Sequence, residues 1–411
     1  VYGPVEKARR DEWAPRTSGA RSASRLTGID IARGIAVIGM YAAHVGPRPD
    51  SGGFGLFTVF NGRSAALFAV LAGVSLALMS GGREPRTGLA AAHVAMRVAT
   101  RAPLLILLGL GLVALNTGYM NILAYYGICF ALVFPWLRCG FRPLAIAAAL
   151  FVTLSPALSF VARFLIAPRE VTDPVPDVSL ELFTSLGGFT QAIVILVLTG
   201  AFPAVNLLGY VLAGMAIGRL DLRSPGVRRG LIAGGAGMAV TAYSLSWVAT
   251  QVLGGRQLIY EDLRSPAAAA GMSPEQFFDA NYANLFGTTP TTSPAWQLLS
   301  TSHAYTSFDL LGCLGVAAAV LGVCLHLGDR FSRPLRPLAD LGSLVLTAYI
   351  GHFLAIRLLE PEPGTFAWLA FVAVALVAAV AWRRLLGRGP FEWLLHVVSG
   401  WPVRIANSAR K

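Results

Sequence analysis

The chain has 411 residues, of which 55% are hydrophobic and 13% charged, and its mean hydropathy is +0.62. A soluble domain usually carries about 25% charged residues, so this chain lacks the polar surface to cover a globule of its size, and lipid must be the solvent for most of it. That excludes a soluble enzyme, a disordered regulator and a fibrous repeat. The net charge of +12 would suggest nucleic acid in a soluble protein, but the position of the charge argues otherwise.

The segment 1–26 is polar and basic, with no apolar run of the kind a signal peptide needs. It opens on Val1 rather than an initiator methionine, as a truncated or processed chain would. Apolar stretches of spanning length then recur through 27–384. The expected spans are Ile29–Val45, Ser64–Met79, Ala102–Gly118, Ile122–Leu137, Leu144–Ile166, Gln191–Ile217, Leu231–Val252, Phe308–Leu327, Leu341–Leu359 and Ala367–Ala381. The fold class expected is all-α, a polytopic membrane bundle of about ten helices. Gly200 and Pro203 interrupt the sixth stretch, which is either a broken helix or a short helix leading into a full span.

With the N-terminus inside, about three quarters of the 33 basic residues fall in the inner segments, as the positive-inside rule requires. Carboxylates are biased outward, and Arg33 is the one basic residue left within a span. The basic character is therefore a topology signal, both termini are expected to be cytoplasmic, and no nucleic-acid partner is expected. Two long outer segments, 167–190 and 253–307, stand out, and the second is expected to cap an outward-opening cavity. The second carries Tyr260, Phe277, Phe278, Tyr282 and Trp296. In the cytoplasmic tail 385–411, Pro390 to Val398 has the spacing of an interfacial helix.

The four cysteines, Cys129, Cys139, Cys313 and Cys324, make no CxxC pair and are expected to be small buried hydrophobes. There is no GxxxxGK[ST], HExxH or GxGxxG, and no metal site is expected. Ionisable groups inside spans are costly and default to functional candidates. The first span, IDIARGIAVIGMYAAHV, holds Asp30, Arg33 and His44. Asp30 and Arg33 are three apart and can pair. Ten residues separate Arg33 from His44, about 16 Å of helix rise on one face, with Gly34 and Gly39 allowing close packing. Further candidates are His303 and Asp309 at the outer entry of the eighth span, His352 in the ninth, and Asn121 and Tyr125 at the turn between the third and fourth. Burial of a lone His352 against a backbone carbonyl would account for it without a role.

The D-x-x-R-G-x-A run, with His44 after the Arg33-x10 spacing, resembles the Arg-x10-His motif of the acyltransferase-three membrane proteins. It is also similar to the first span of the heparan-alpha-glucosaminide N-acetyltransferase family. FAVLAGVSLAL at Phe68–Leu78, NILAYYGI at Asn121–Ile128, YVLAGMAIGRLDL at Tyr210–Leu222, SFDLLGCLGVA at Ser307–Ala317 and GPFEWLLHVVSGW at Gly389–Trp401 extend the likeness. Over most of its length the chain resembles the YeiB-like bacterial membrane proteins, grouped with both in a proposed transmembrane acyltransferase superfamily.

The resemblance implies a multi-pass protein of a bacterial plasma membrane that moves an acetyl or other acyl group. The donor would be cytoplasmic acetyl-CoA or another acyl-CoA, and the acceptor an outer-face hydroxyl or amine such as a sugar or glycolipid. It implies His44 as catalytic base or nucleophile and Arg33 on the donor route. His303 and Asp309 are carried as catalytic candidates, and Asp30, Asn121 and Tyr125 accompany Arg33 as donor-binding candidates. Arg33 has no evident basic cluster around it in the sequence. The partners expected are the lipid bilayer, the donor and that acceptor; a homo-oligomer is left open. A secondary transporter or exporter, and a non-catalytic scaffold or sensor, are the alternatives.

Overall fold

The computed structural model describes residues 26–48, 54–282, 285 and 287–408. The polar segment up to Arg25 lies outside the described residues. Those described form helices and loops, with no strand among them. Six helices are long and apolar enough to cross a membrane: α1 (Thr27–Val45), α3 (Gly88–Val113), α5 (Phe141–Ile166), α8 (Pro225–Trp247, continued to Val252), α9 (Ser307–Arg330) and α12 (Thr365–Leu385). Two bent pairs raise the number to eight if each is one span. The first pair is α6 (Leu186–Val194, extended to Thr199) with α7 (Ala204–Gly218), bent by 52°. The second is α10 (Arg336–Ser343) with α11 (Val345–Leu359), bent by 81°. Two further apolar helices, α2 (Arg63–Met79) and α4 (Leu123–Leu132), have 17 and 10 residues, short for a straight crossing of about 30 Å. The last helix, α13 (Pro390–Ser408), covers and extends the expected interfacial segment.

The bends fall where the sequence breaks the helical ladder. Pro203 has no amide hydrogen to donate, and Gly200 and Ala201 are both buried under Tyr125, whose hydroxyl accepts from Ala201 N at 3.3 Å. The break is therefore roofed by protein, as irregular backbone at membrane depth must be. The second bend differs from the expected continuous span Leu341–Leu359: α11 starts only at Val345, and its first amides are satisfied from another helix. Glu392 of α13 accepts from Leu346 N (2.7 Å), Thr347 N (3.0 Å) and Thr347 Oγ1 (2.5 Å), supplying the acceptors that an isolated helix start lacks.

α1 runs through the centre of the bundle, packed against α2, α9 and α10. A side chain at Gly34 would collide with the Leu338 carbonyl, and one at Gly39 with Ser64, so both expected close approaches occur. By contrast α5 and α12 present Ile146, Leu150, Leu158, Val374 and Val377 outward, the faces that lipid would solvate. Three of the cysteines are buried, Cys139 is half-buried, and all four are free thiols.

The segment 253–307 folds on its own small core of Ile259, Leu263, Phe278, Tyr282 and Trp296. Trp296 Nε1 donates to Asp262 at 2.7 Å. The segment 167–190 is tied to it: Thr291 N donates to the Arg169 carbonyl at 3.0 Å, and Arg169 N to Thr291 Oγ1 at 2.8 Å. Tyr282 also donates to the Val171 carbonyl.

Candidate active site

Two cavities lie end to end beside α1. The outer, about 320 Å³, is lined by His44 with Gly62, Phe60, Tyr119, Phe202 and His303. The inner, about 300 Å³, is lined by Arg33 with Ser75, Arg101, Tyr126, Phe130, Ser343 and Glu392. Phe68, Ile122 and Tyr349 line both, so these three side chains form the junction. The Tyr349 hydroxyl is fixed there by accepting from Ile122 N at 3.0 Å.

At the outer cavity His44 Nδ1 lies 2.9 Å from His352 Nε2. His44 also lies against Tyr119 and Phe353, with ring centroids 4.9 and 5.5 Å away. A single proton bridges the two imidazoles. If His44 Nδ1 holds it, His44 Nε2 is a lone-pair acceptor and therefore a base. His352 is buried, and its Nδ1 closes no hydrogen bond among the described residues. The sequence treated His352 as a lone histidine; the structure makes it the partner of His44.

His303 comes from the far end of the segment 253–307 and is the part of that segment that reaches the cavity. Its Nε2 accepts from Gly62 N at 3.2 Å, so the neutral ring carries its proton on Nδ1. Burial, and secondarily the Arg63 guanidinium, lower its pKa to about 4, so it is neutral at pH 7. His303 and Tyr305 both have left-handed backbone, at φ +59° and +51°, a conformation costly for residues with a Cβ. Asp309 holds that loop: its Oδ2 accepts from Tyr305 N at 3.0 Å, while Thr306 Oγ1 accepts from Asp309 N at 3.1 Å. Asp309 lines neither cavity; the contacts it makes are those of a residue positioning the His303 loop.

Arg33 donates to Asp30 Oδ1 at 2.8 Å and to Ser75 Oγ at 2.5 Å. Asp30 is buried and compensates the guanidinium. Asn121 and Tyr125 line neither cavity. Tyr125 packs on Phe202 and the Gly200–Pro203 break, and Asn121 is buried beside the junction residue Ile122. Sequence reasoning missed Arg101, Ser75, Tyr126, Tyr349 and Glu392 as cavity residues. By sequence Arg101 is one more basic residue at the edge of an apolar stretch; its place on the same side of α3 as Leu105, one turn on, is the available signal. No group of three or more His, Cys, Asp or Glu side chains gathers in metal-binding proximity among the described residues.

This is a largely apolar-walled passage with a cation at one end and a histidine pair at the other, an arrangement able to hold an extended molecule and move a proton at its end. The family model of the heparan-alpha-glucosaminide N-acetyltransferase catalytic domain matches residues 25–246, just over half of the chain. The chain belongs to this family. It is a multi-pass membrane protein of N-acetyltransferase type, and enzymes of this type use acetyl-CoA. The matched segment carries Arg33, His44, Ser75, Arg101 and Tyr126. His303, Tyr349 and Glu392 come from beyond it and complete the two cavities, and His352, also beyond it, meets His44 from behind. No curated protein matches the chain.

Proposed function

We propose that the protein is a transmembrane acyltransferase that passes an acetyl group from cytoplasmic acetyl-CoA to a hydroxyl or amine on the outer face, with His44 as the base. The observation that carries this reading is the pair of cavities meeting at Phe68, Ile122 and Tyr349, with Arg33 at one end and His44 at the other. The helical steps from Arg33 to His44 on α1 rise about 16 Å, compatible with an extended pantetheine arm. Arg33 and Arg101 offer the donors that its amides and thioester need.

In the transfer, the acceptor O–H or N–H attacks the thioester carbonyl carbon and His44 Nε2 takes the proton. The carbon–sulfur bond breaks, and the departing thiolate leaves as the thiol on receiving a proton. His352 Nε2 accepts from His44 Nδ1, fixes the reactive tautomer and shares the charge of the imidazolium. His303, neutral and held by Gly62, lines the side on which the acceptor enters. The family's printed name points to a glucosaminide amine as the first acceptor to try. A route through acyl-His44 needs the same residues, with His44 as nucleophile.

The ten-span topology belongs to this proposal, with α2, α4 and the two bent pairs each crossing once and both termini cytoplasmic. So do the bacterial plasma-membrane location and the YeiB-like kinship. The broken α6–α7 pair is the feature a transporter would use. The test is release of free CoA thiol by purified protein supplied with acetyl-CoA and glucosamine or a glucosaminide. Acceptor-dependent thiol release, with acetylated product, supports the reading. Saturable acetyl-CoA-independent uptake of the amine into proteoliposomes, with no thiol release, would replace it with the transporter.

A further inference from the structure

The inner cavity is a poor place for phosphates. Arg33 is compensated by Asp30 at 2.8 Å, and the Glu392 carboxylate faces the same space. Just outside it, where α3 and α13 pack together, the balance reverses. Arg97 and Arg101 stand one turn apart on α3, and Arg101 Nε donates to Ser399 Oγ of α13 at 3.4 Å. Arg388 precedes α13, and Arg404 stands on it, donating to the Val397 carbonyl at 3.3 Å. All four guanidiniums lie close enough to His396 to act on it: burial first, and then Arg388, Arg97, Arg101 and Arg404, lower its pKa below the usual imidazole value.

None of the four pairs with a carboxylate among the described residues, although other inner arginines do. Arg228 meets Asp329 at 2.7 Å, and Arg336 and Arg383 share Asp340. Arg97 Nε is buried without a hydrogen-bond partner among the described residues. Four like charges along one seam repel each other, and an inward bias of basic residues does not require them to converge. An anion seated among them removes the repulsion, and planar guanidiniums suit phosphate oxygens.

We infer that the seam of Arg97, Arg101, Arg388 and Arg404 is a phosphate site at the inner mouth of the passage, taking the phosphates of the donor's nucleotide end while the uncharged pantetheine arm enters the cavity beyond. Arg101 belongs to both, lining the cavity and reaching α13. The donor assignment rests on the acyltransferase reading above; the phosphate chemistry does not.

The test is titration calorimetry on the full chain in phosphatidylcholine nanodiscs, with acetyl-CoA, S-acetylpantetheine and inorganic pyrophosphate as probes. R97A/R404A is compared with the parent and with the charge-retaining R97K/R404K. Loss of two charge-assisted contacts should weaken acetyl-CoA and pyrophosphate on the order of 10²-fold or more and leave S-acetylpantetheine unchanged, with R97K/R404K, which keeps the charge and loses the planar fork, in between. Equal pyrophosphate affinity in R97A/R404A and parent, or an equal loss in the Lys variant, would overturn the site. A parent that binds pyrophosphate but no acetyl-CoA would keep the site and overturn the acyltransferase reading. Unchanged acetyl-CoA affinity in R97A/R404A, together with loss of phosphatidylglycerol that co-purifies with the parent, would reassign the phosphate to a lipid headgroup and overturn the donor assignment.

Discussion

His44 Nδ1 and His352 Nε2 are 2.9 Å apart across 308 residues of sequence, so the histidine of the first span is oriented by one from α11. The orientation depends in turn on Glu392, which satisfies the first amides of α11 from the inner helix α13. If His352 fixes the reactive tautomer, H352A lowers kcat on the order of 10²-fold or more and leaves KM for acetyl-CoA near the parent value. H352Q, which retains an acceptor for His44 Nδ1–H, restores part of the loss. A purely structural His352 would give variants that differ in thermal stability but share one kcat.

Arg33 on the donor route makes a separate prediction. R33A weakens acetyl-CoA binding by about 10- to 150-fold, the loss of one or two charge-assisted contacts. Removing Arg33 alone also takes a guanidinium from the buried Asp30 carboxylate, at a cost in stability. The double variant D30N/R33Q separates the effects: it recovers stability and stays weak for the donor. Parental affinity in the double variant would take Arg33 out of the donor site.

α1 was the legible part of the site. One apolar segment carries Asp30, Arg33 and His44 at fixed helical spacings, and those spacings survive unchanged in the structure. The unread part is tertiary. His352 could be seen to sit in a span, but a polar residue in a helix does not state which helix it faces. Arg101 could be counted among the inner basic residues, and only the packing of α3 on α13 turns it toward a cavity. The start of α11 is not legible because Leu341–Leu359 is predominantly apolar with no Pro to break it, and the acceptor that allows a helix to begin at Val345 is Glu392, many residues away. Asp309 lies at the helix start where the sequence located it, but its carboxylate turns to Tyr305 N and not to the cavity.

His303 gives the protein an acid-side instability. Its pKa falls from the ordinary 6.5 of an unfolded histidine to about 4. Below pH 6.5 the unfolded chain therefore binds the proton that the folded chain refuses. The stability this histidine contributes by staying neutral is full above pH 6.5 and declines as pH falls toward 4, by up to about 3 kcal/mol. Thermal unfolding in detergent between pH 4 and 7.5 should show the fall, and H303Q should make it shallower. The same slope in H303Q would assign the effect to other groups.

The ten-span topology predicts the accessibility of two exposed positions. S265C, on the outer segment, labels with a membrane-impermeant thiol reagent applied to sealed right-side-out vesicles, and T87C, before α3, labels only after permeabilisation. Both residues are exposed, and the four native thiols are replaced beforehand. Labelling of T87C from outside would reverse or break the span order.

The most direct test of the central claim uses sided proteoliposomes with acetyl-CoA trapped on the face bearing Thr87 and a glucosaminide on the face bearing Ser265. The parent should acetylate the external amine and accumulate internal CoA thiol in equal amounts. H44A and H44N should lose about 10²- to 10⁴-fold in rate while binding acetyl-CoA with nearly parental affinity. Parental turnover in H44A would contradict the account.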